Sequence, residues 1–542
     1  MKKIKDIISS VASGLTVEEQ QYPTITVEPK QWRKLAEKLK ANGLDVLLNL
    51  TGIDYKDCLG VIYHLTSSIE KNTMVVVKVK TPDYENIAIP SVYDLWEAAN
   101  LYEREAYDFY GIKFVNHPDL RRIFLRADWN GFPFRKDYDA KPALNPVPRV
   151  NQTVEEMEGI PTLSFEYEGK LITKHHQLFE NGEYVVNIGP QHPATHGVLH
   201  LRVSLDGEII KKVDPNFGYI HRGIEKMCES KTYPQILQLT ERLDYLSGTM
   251  NRHAFCLCCE KALGLEIPKR AEAVRVIFDE LTRIASHLLG WGCMCMDMGS
   301  ITAFIYGMRD REKIMDIFEE TGGGRLMVGY NVIGGLANDI HPKFIDQVKE
   351  FIPYMRKMLQ EYHVLFTNNP IAKGRMEKMG ILSMEKAVSL GVTGPSGRAS
   401  GWACDVRKIA PYAGYDKIDF EQVLFETGDT FDRYLIRLKE IEQSLKIIEH
   451  LINNLPDDGF KAKTPAIIKL PAGEYYQRVE NARGDFGVYI NSTGDKNPYR
   501  VKFRSPCMTL ISALDPLCQN EKIADLIMIG ASLDYVIPCA DR

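Results

Sequence analysis

A chain of 542 residues with 44% hydrophobic and 26% charged content can bury more than one core, which sets an expectation of several globular domains and excludes a disordered tail. Its formal net charge of −5 is spread thinly, without a long lysine or arginine block, and this excludes the electrostatic footprint of a nucleic-acid or lipid-surface binder. Eleven cysteines are too sparse for a disulfide scaffold, and a reducing compartment would keep them as thiols.

The amino-terminal MKKIKDIISSVASGLTVEEQQ follows its lysines with a weak apolar stretch that acidic residues soon interrupt, so no secretory signal is expected and the cytoplasm is the default compartment. A helical pattern over 32–42 and β-rich runs at 61–65 and 74–79 predict a small α/β domain over 1–139. The polar DAKPALNPVPRVNQTVEEM, with three prolines, opens a linker assigned to 140–183. The second domain, 184–542, begins with predicted strands at 184–187, 198–205 and 208–213, the last two joined by a two-residue turn at Asp206-Gly207.

Helical periodicity dominates beyond Tyr219. Ile236, Leu239, Leu243, Leu246, Met250, Ala254 and Leu257 recur at spacings of three and four, which predicts one buried stripe on a single helix over 235–261. Similar patterns run over 271–289, 344–366 and 431–455. The apolar run 284–308 is long enough to span a bilayer, but Asp297 interrupts it. A central acid costs roughly 2.5–3.5 kcal/mol in a spanning helix, so a buried core segment is expected instead. The fold class is therefore α+β: a small α/β domain, then a large helix-rich domain that opens with a small antiparallel sheet.

Candidate chemistry is scattered along these elements. Cys256, Cys258, Cys259, Cys293 and Cys295 fall inside helical patterns, where residues two apart point about 200° apart and cannot clasp one ion. Cys256 and Cys259 share a face, but no second pair of that spacing completes four ligands, and buried apolar filler is the plain reading. The loop GPQHPATHG carries His192 and His196, which suit either a binding role or solvent exposure. Tyr245 lies about 100° off the predicted stripe and reads equally as a surface tyrosine. Asp297 either finds a partner, shifts its pKa upward, or caps a helix start.

The segments GPQHPATHGVLHL, GYIHRGIEK, TERLDYLSGTMN, RVIFDELTRIASHLLG, MRDREKIMDIFEETGG, ASGWACDVRK, ENARGDFGVYINSTGDKNPYRVKFRSP and IGASLDYVIPCADR resemble, in order and at matching spacing, the D or 49-kDa-type subunit of respiratory complex I. LYEREAYDFYGIKFVNHPDLRRIFLRADWNGFPFRKDYD resembles the C or 30-kDa-type subunit. The chain thus resembles a C/D fusion, and the proline-bearing junction fits the fusion point.

The resemblance implies a subunit of a membrane-bound NADH:quinone oxidoreductase on the cytoplasmic side of the bacterial inner membrane. Its partners would be the other complex I subunits and the membrane arm, with no nucleic acid. His196 and Tyr245 match residues that bracket the quinone headgroup, His192 shares the loop of His196 and is assigned to quinone binding with it, and Asp297 matches the acid that pairs with the histidine. Arg222 matches an arginine beside a tetranuclear iron–sulfur cluster whose cysteines belong to a neighbouring subunit, so no metal or cofactor is expected on this chain alone. Met327 and Val332 stand where many relatives place a histidine and several an arginine. Both changes remove positive charge near the cluster, which predicts a low potential and suits a low-potential quinone such as menaquinone.

The fold also resembles the large subunit of nickel–iron hydrogenases. That enzyme needs two Cys-x-x-Cys pairs, and here Asp244 and Ser247 replace the first while the second keeps Cys539 opposite Val536. One thiolate of four cannot hold the bimetallic centre. A scaffold without redox chemistry is disfavoured by the joint presence of His196, Tyr245 and Asp297. A module fed by ferredoxin rather than NADH would leave the same sequence.

Overall fold

The computed structural model describes residues 17–82, 84, 87–126, 129–139, 163–174, 178–179, 182–191 and 197–542. The chain forms two compact units, the first comprising Met1–Val185 with Asn216–Tyr219 and Val388–Gly391, the second Val186–Pro215, Ile220–Ala387 and Val392–Arg542. Most of the expected linker over 140–183 lies outside the described residues.

Unit one is built on a five-stranded sheet with strands β1 (Val17–Glu19), β2 (Pro23–Val27), β3 (Val46–Asp54), β4 (Leu59–Thr66) and β5 (Met74–Lys80) in the order β1-β2-β5-β4-β3. β2 and β5 run parallel and the other pairs antiparallel. Every residue of β3 and β4 is buried, which is why these strands read as continuous apolar runs. Helix α1 (Pro29–Ala41) starts with proline inside a Glu28/Gln31 capping box and stacks Trp32 on Tyr63 at 4.2 Å. Helix α2 (Ala99–Tyr110) packs on β3. Gly52 makes this possible, because a Cβ there would meet the Tyr110 ring at 2.6 Å.

A hairpin that the sequence pattern does not announce spans Leu163–Tyr167 and Lys170–Lys174, inside the segment assigned to the linker. Its turn residues Glu168 and Gly169 both have positive φ, 50° and 72°, the geometry that closes two-residue hairpins.

A three-stranded sheet is formed by Tyr184–Ile188, His200–Asp206 and Ile209–Asn216, of which 186–215 belong to unit two. The turn between the last two strands is Gly207-Glu208 rather than Asp206-Gly207, and Gly207 alone has positive φ. The core is the 29-residue helix Lys269–Asp297. It packs against Ile301–Gly322, Thr430–Asn453 and Ile523–Leu533, while Gly248–Leu263 lies on an antiparallel sheet of Gly473–Asn481, Gly484–Ser492 and Arg500–Arg504. The mixture of small sheets and helices is the α+β class expected. The apolar run over 284–308 is divided by a turn after Asp297, where Gly299 has φ +87°, and among the described residues no helix is long and apolar enough to cross a membrane.

Helix Lys269–Asp297 carries charge into this core. Glu280 is completely buried and accepts from Arg407 Nη1 at 3.0 Å, Arg283 Nε at 3.1 Å, and the hydroxyls of Tyr415 and Ser444 at 2.6 Å each. Burial alone would push its carboxyl up, but Arg283, Arg407 and the two hydroxyls hold it at about 2. A carboxylate depressed in the folded state contributes stability above its unfolded pKa and loses that contribution as pH falls through the folded value. Glu280→Gln is therefore expected to lower unit-two stability by about 3–5 kcal/mol at neutral pH and to flatten the acid limb between roughly pH 4.5 and 2. Denaturant unfolding of both proteins at several pH values checks both effects.

Candidate functional site

The predicted single helix over 235–261 is two helices, Tyr233–Thr240 and Gly248–Leu263. Ile236, Leu243 and Met250 are all buried as the stripe required, but residues 241–247 form turns. Polar groups make the break. Asp244 uses its own carboxylate to accept from Leu246 N at 3.1 Å, and its carbonyl accepts from Ser247 N at 3.0 Å, a local pattern that competes with helix. Tyr245 therefore sits on a turn, half-buried, and not on a helix face.

That turn is anchored by a residue to which the sequence alone gives no role. Arg483 occupies the two-residue connection between Gly473–Asn481 and Gly484–Ser492 and is fully buried. Its Nη1 donates to Asp244 Oδ2 at 3.0 Å and to Ser247 Oγ at 3.1 Å, and its Nε donates to the Asp534 carbonyl at 2.8 Å. The Asp534 carboxylate lies 3.4 Å from Nη2, and Asp534 closes helix Ile523–Leu533 in the left-handed region. One guanidinium thus ties the Tyr245 turn to the carboxyl-terminal segment.

Burial raises the pKa of the Tyr245 phenol; Arg483 opposes this, while Asp244, Cys293 and Asp534 add to it. The phenol is accordingly protonated at neutral pH and able to donate. Asp297 is the last residue of its helix, not a cap at a helix start, and Ser300 takes the cap position of the next one. Burial, then Asp534 and Asp297, push the Cys293 thiol up to about 12. Tyr245 and Asp297 therefore both lie within electrostatic reach of Cys293.

His192 and His196 lie outside the described residues. The neck of their loop is described: a Cβ on Gly189 would stand 2.1 Å from the Leu199 carbonyl, and one on Gly197 would stand 2.8 Å from Ile537. Arg222 is exposed, and beside it Ile220 N donates to Asp541 Oδ2 at 3.0 Å. Met327 is 38% exposed. Its loop is fastened to the same turn as Tyr245, because Glu241 Oε1 accepts from Gly329 N at 2.8 Å and pairs with Arg252 at 3.4 Å.

Two of the positions compared with hydrogenase ligands, Asp244 and Cys539, converge, together with Cys507. The Asp244 carboxylate and the Cys507 and Cys539 thiols lie within 4.8 Å of one another, all buried. Cys507 carries no motif that would single it out; its sulfur accepts from Val536 N at 3.3 Å. A four-thiolate set is absent among the described residues.

Two family descriptions match the chain: the respiratory-chain NADH dehydrogenase 30 kDa subunit over residues 25–143 and the 49 kDa subunit over 297–468 and 460–542. The NADH-quinone oxidoreductase C/D subunit of Phocaeicola vulgatus is 54% identical over 500 residues, covering 92% of this chain and 95% of that one. The chain belongs to this C/D subunit family. The C/D subunit of Bacteroides thetaiotaomicron is 53% identical over 514 residues, 92% of this chain and 96% of its own length. The NADH-quinone oxidoreductase D subunit of Bacillus mycoides is 46% identical over 361 residues, 66% of this chain and 99% of its own. The C/D fusion read from the sequence is thus the family's own arrangement.

The Arg483–Asp244 pair in this C/D chain is fully desolvated, so removing one partner strands the other. Arg483→Gln and Asp244→Asn are each expected to cost about 3 kcal/mol or more, and the double variant less than their sum by at least ~1 kcal/mol. Denaturant unfolding of the four proteins measures the coupling.

Proposed function

We propose that this protein forms the quinone-reduction site of an NADH:quinone oxidoreductase, within the peripheral arm on the cytoplasmic side of a bacterial inner membrane. The observation that carries the reading is the Tyr245 turn: a half-buried phenol on a turn anchored by a fully buried guanidinium, in a chain 54% identical over 92% of its length to a C/D subunit. The division into a C-like domain 1–139, a linker 140–183 and a D-like domain 184–542 belongs to the same proposal, as does a fold likeness to the nickel–iron hydrogenase large subunit.

Reduction of a quinone places negative charge on its two oxygens, and the groups that lower the barrier are donors already aimed at them. Tyr245 supplies a hydroxyl of raised pKa, and His196 an imidazole able to hold or release a proton near neutral pH. Asp297 stabilises the charged imidazole, and His192 completes the headgroup loop. The electrons would come from an iron–sulfur cluster ligated by a neighbouring subunit; Arg222 and Met327, both exposed, are the residues of this chain that would face it. Met327 and Val332 withhold positive charge from that cluster, which favours menaquinone.

Tyr245→Phe keeps the ring and removes the hydroxyl. In the assembled complex, quinone reduction is expected to fall roughly 10²-fold or more while the cluster still accepts electrons from NADH. Steady-state quinone kinetics with cluster reduction followed by electron paramagnetic resonance is the test; unchanged quinone kinetics in a well-assembled variant would overturn the role.

A further inference from the structure

At the fully buried meeting point of Asp244, Cys507 and Cys539, Asp244 also anchors the Tyr245 turn, while the two thiols have no part in the quinone chemistry described above. We propose that these three side chains form a binding site for one soft divalent cation of the zinc or cadmium class. The site goes beyond the quinone reading and does not rest on it.

Geometry comes first. The carboxylate oxygen and both sulfurs lie within 4.8 Å of one another, while ligands around a tetrahedral zinc ion, with bonds of about 2.0–2.3 Å, stand roughly 3.3–3.8 Å apart. Small side-chain movements close the difference. Ser505 Oγ, 3.0 Å from the Cys539 sulfur, offers a fourth donor. Two sulfurs select a thiophilic ion over magnesium or calcium.

Charge balance also favours an ion here. Without an ion, the Asp244 carboxylate balances Arg483 at 3.0 Å. With an ion, two thiolates and one carboxylate carry three negative charges, and the divalent ion and Arg483 carry three positive ones. Binding as thiolates releases whatever protons the two sulfurs carry, and the loaded site buries no net charge. Arg483 acts as the counter-charge behind the ligands. A bare carboxylate and two thiolates around a dication would be left with an uncompensated buried charge.

The test uses the reduced full-length chain and cadmium ion alone. After loading and desalting, elemental analysis is expected to find one cadmium more per chain in the parent than in Cys507→Ser, Cys539→Ser or the double variant, with sulfur-to-cadmium charge-transfer absorption. Asp244→Asn should weaken retention at least tenfold. X-ray absorption at the cadmium edge of the parent gives a readout independent of how the variants fold. A shell of two sulfurs with oxygens supports the site. A shell of oxygens alone, a shell of four sulfurs, or equal retention by parent and double variant overturns it.

Discussion

The arrangement of unit two depends on a guanidinium removed from water. A buried arginine is tolerable only if its donors are matched, and Arg483 meets that demand with Asp244, Ser247 and Asp534. Satisfying it fixes where three distant segments sit: the 241–247 turn, the hairpin connection after Asn481, and the end of helix Ile523–Leu533. Tyr245 gains its position from this constraint, since it directly follows Asp244. A tyrosine on a continuous helix would have kept a neighbouring turn of helix on either side, whereas Tyr245 sits half-buried on a turn.

The same principle recurs around Glu280, whose buried carboxylate accepts from Arg283, Arg407 and two hydroxyls. Arg398 is likewise shared between Glu440 and Glu480 at 2.6 Å each. Such pairs contribute little net stability compared with apolar packing, but they are costly to break, so they hold one arrangement against its competitors. That rigidity suits donors that must stay aimed while charge grows on a bound substrate.

Helices were the most legible part of the sequence. The pattern over 271–289 marked the centre of Lys269–Asp297, and 431–455 nearly coincides with Thr430–Asn453. The stripe from Ile236 to Leu257 misled because Leu243 points into the same core from a turn, so apolar spacing continued across a break that Asp244 and Ser247 create. The hairpin at Leu163–Tyr167 and Lys170–Lys174 was overlooked because short polar strands carry little periodic signal. The quinone-site roles proposed for Tyr245 and Asp297 came from motif resemblance; composition added only that Asp297 is the lone acid in an apolar run. Arg483 and Cys507 were missed because their partners are far along the chain: Asp244 is 239 positions from Arg483, and one sequence records no such pairing. The clue available was an arginine beside glycine in the NARG connection, a costly residue at a tight turn.

The central claim is that the anchored turn presents Tyr245 to the quinone headgroup. A photoreactive quinone analogue, activated in the assembled complex and mapped by peptide mass spectrometry, tests it directly. The account predicts adducts on the peptide containing 241–247, suppressed by excess natural quinone. Quinone-competed adducts confined to other segments of the complex, with the Tyr245 peptide unlabelled, would contradict it.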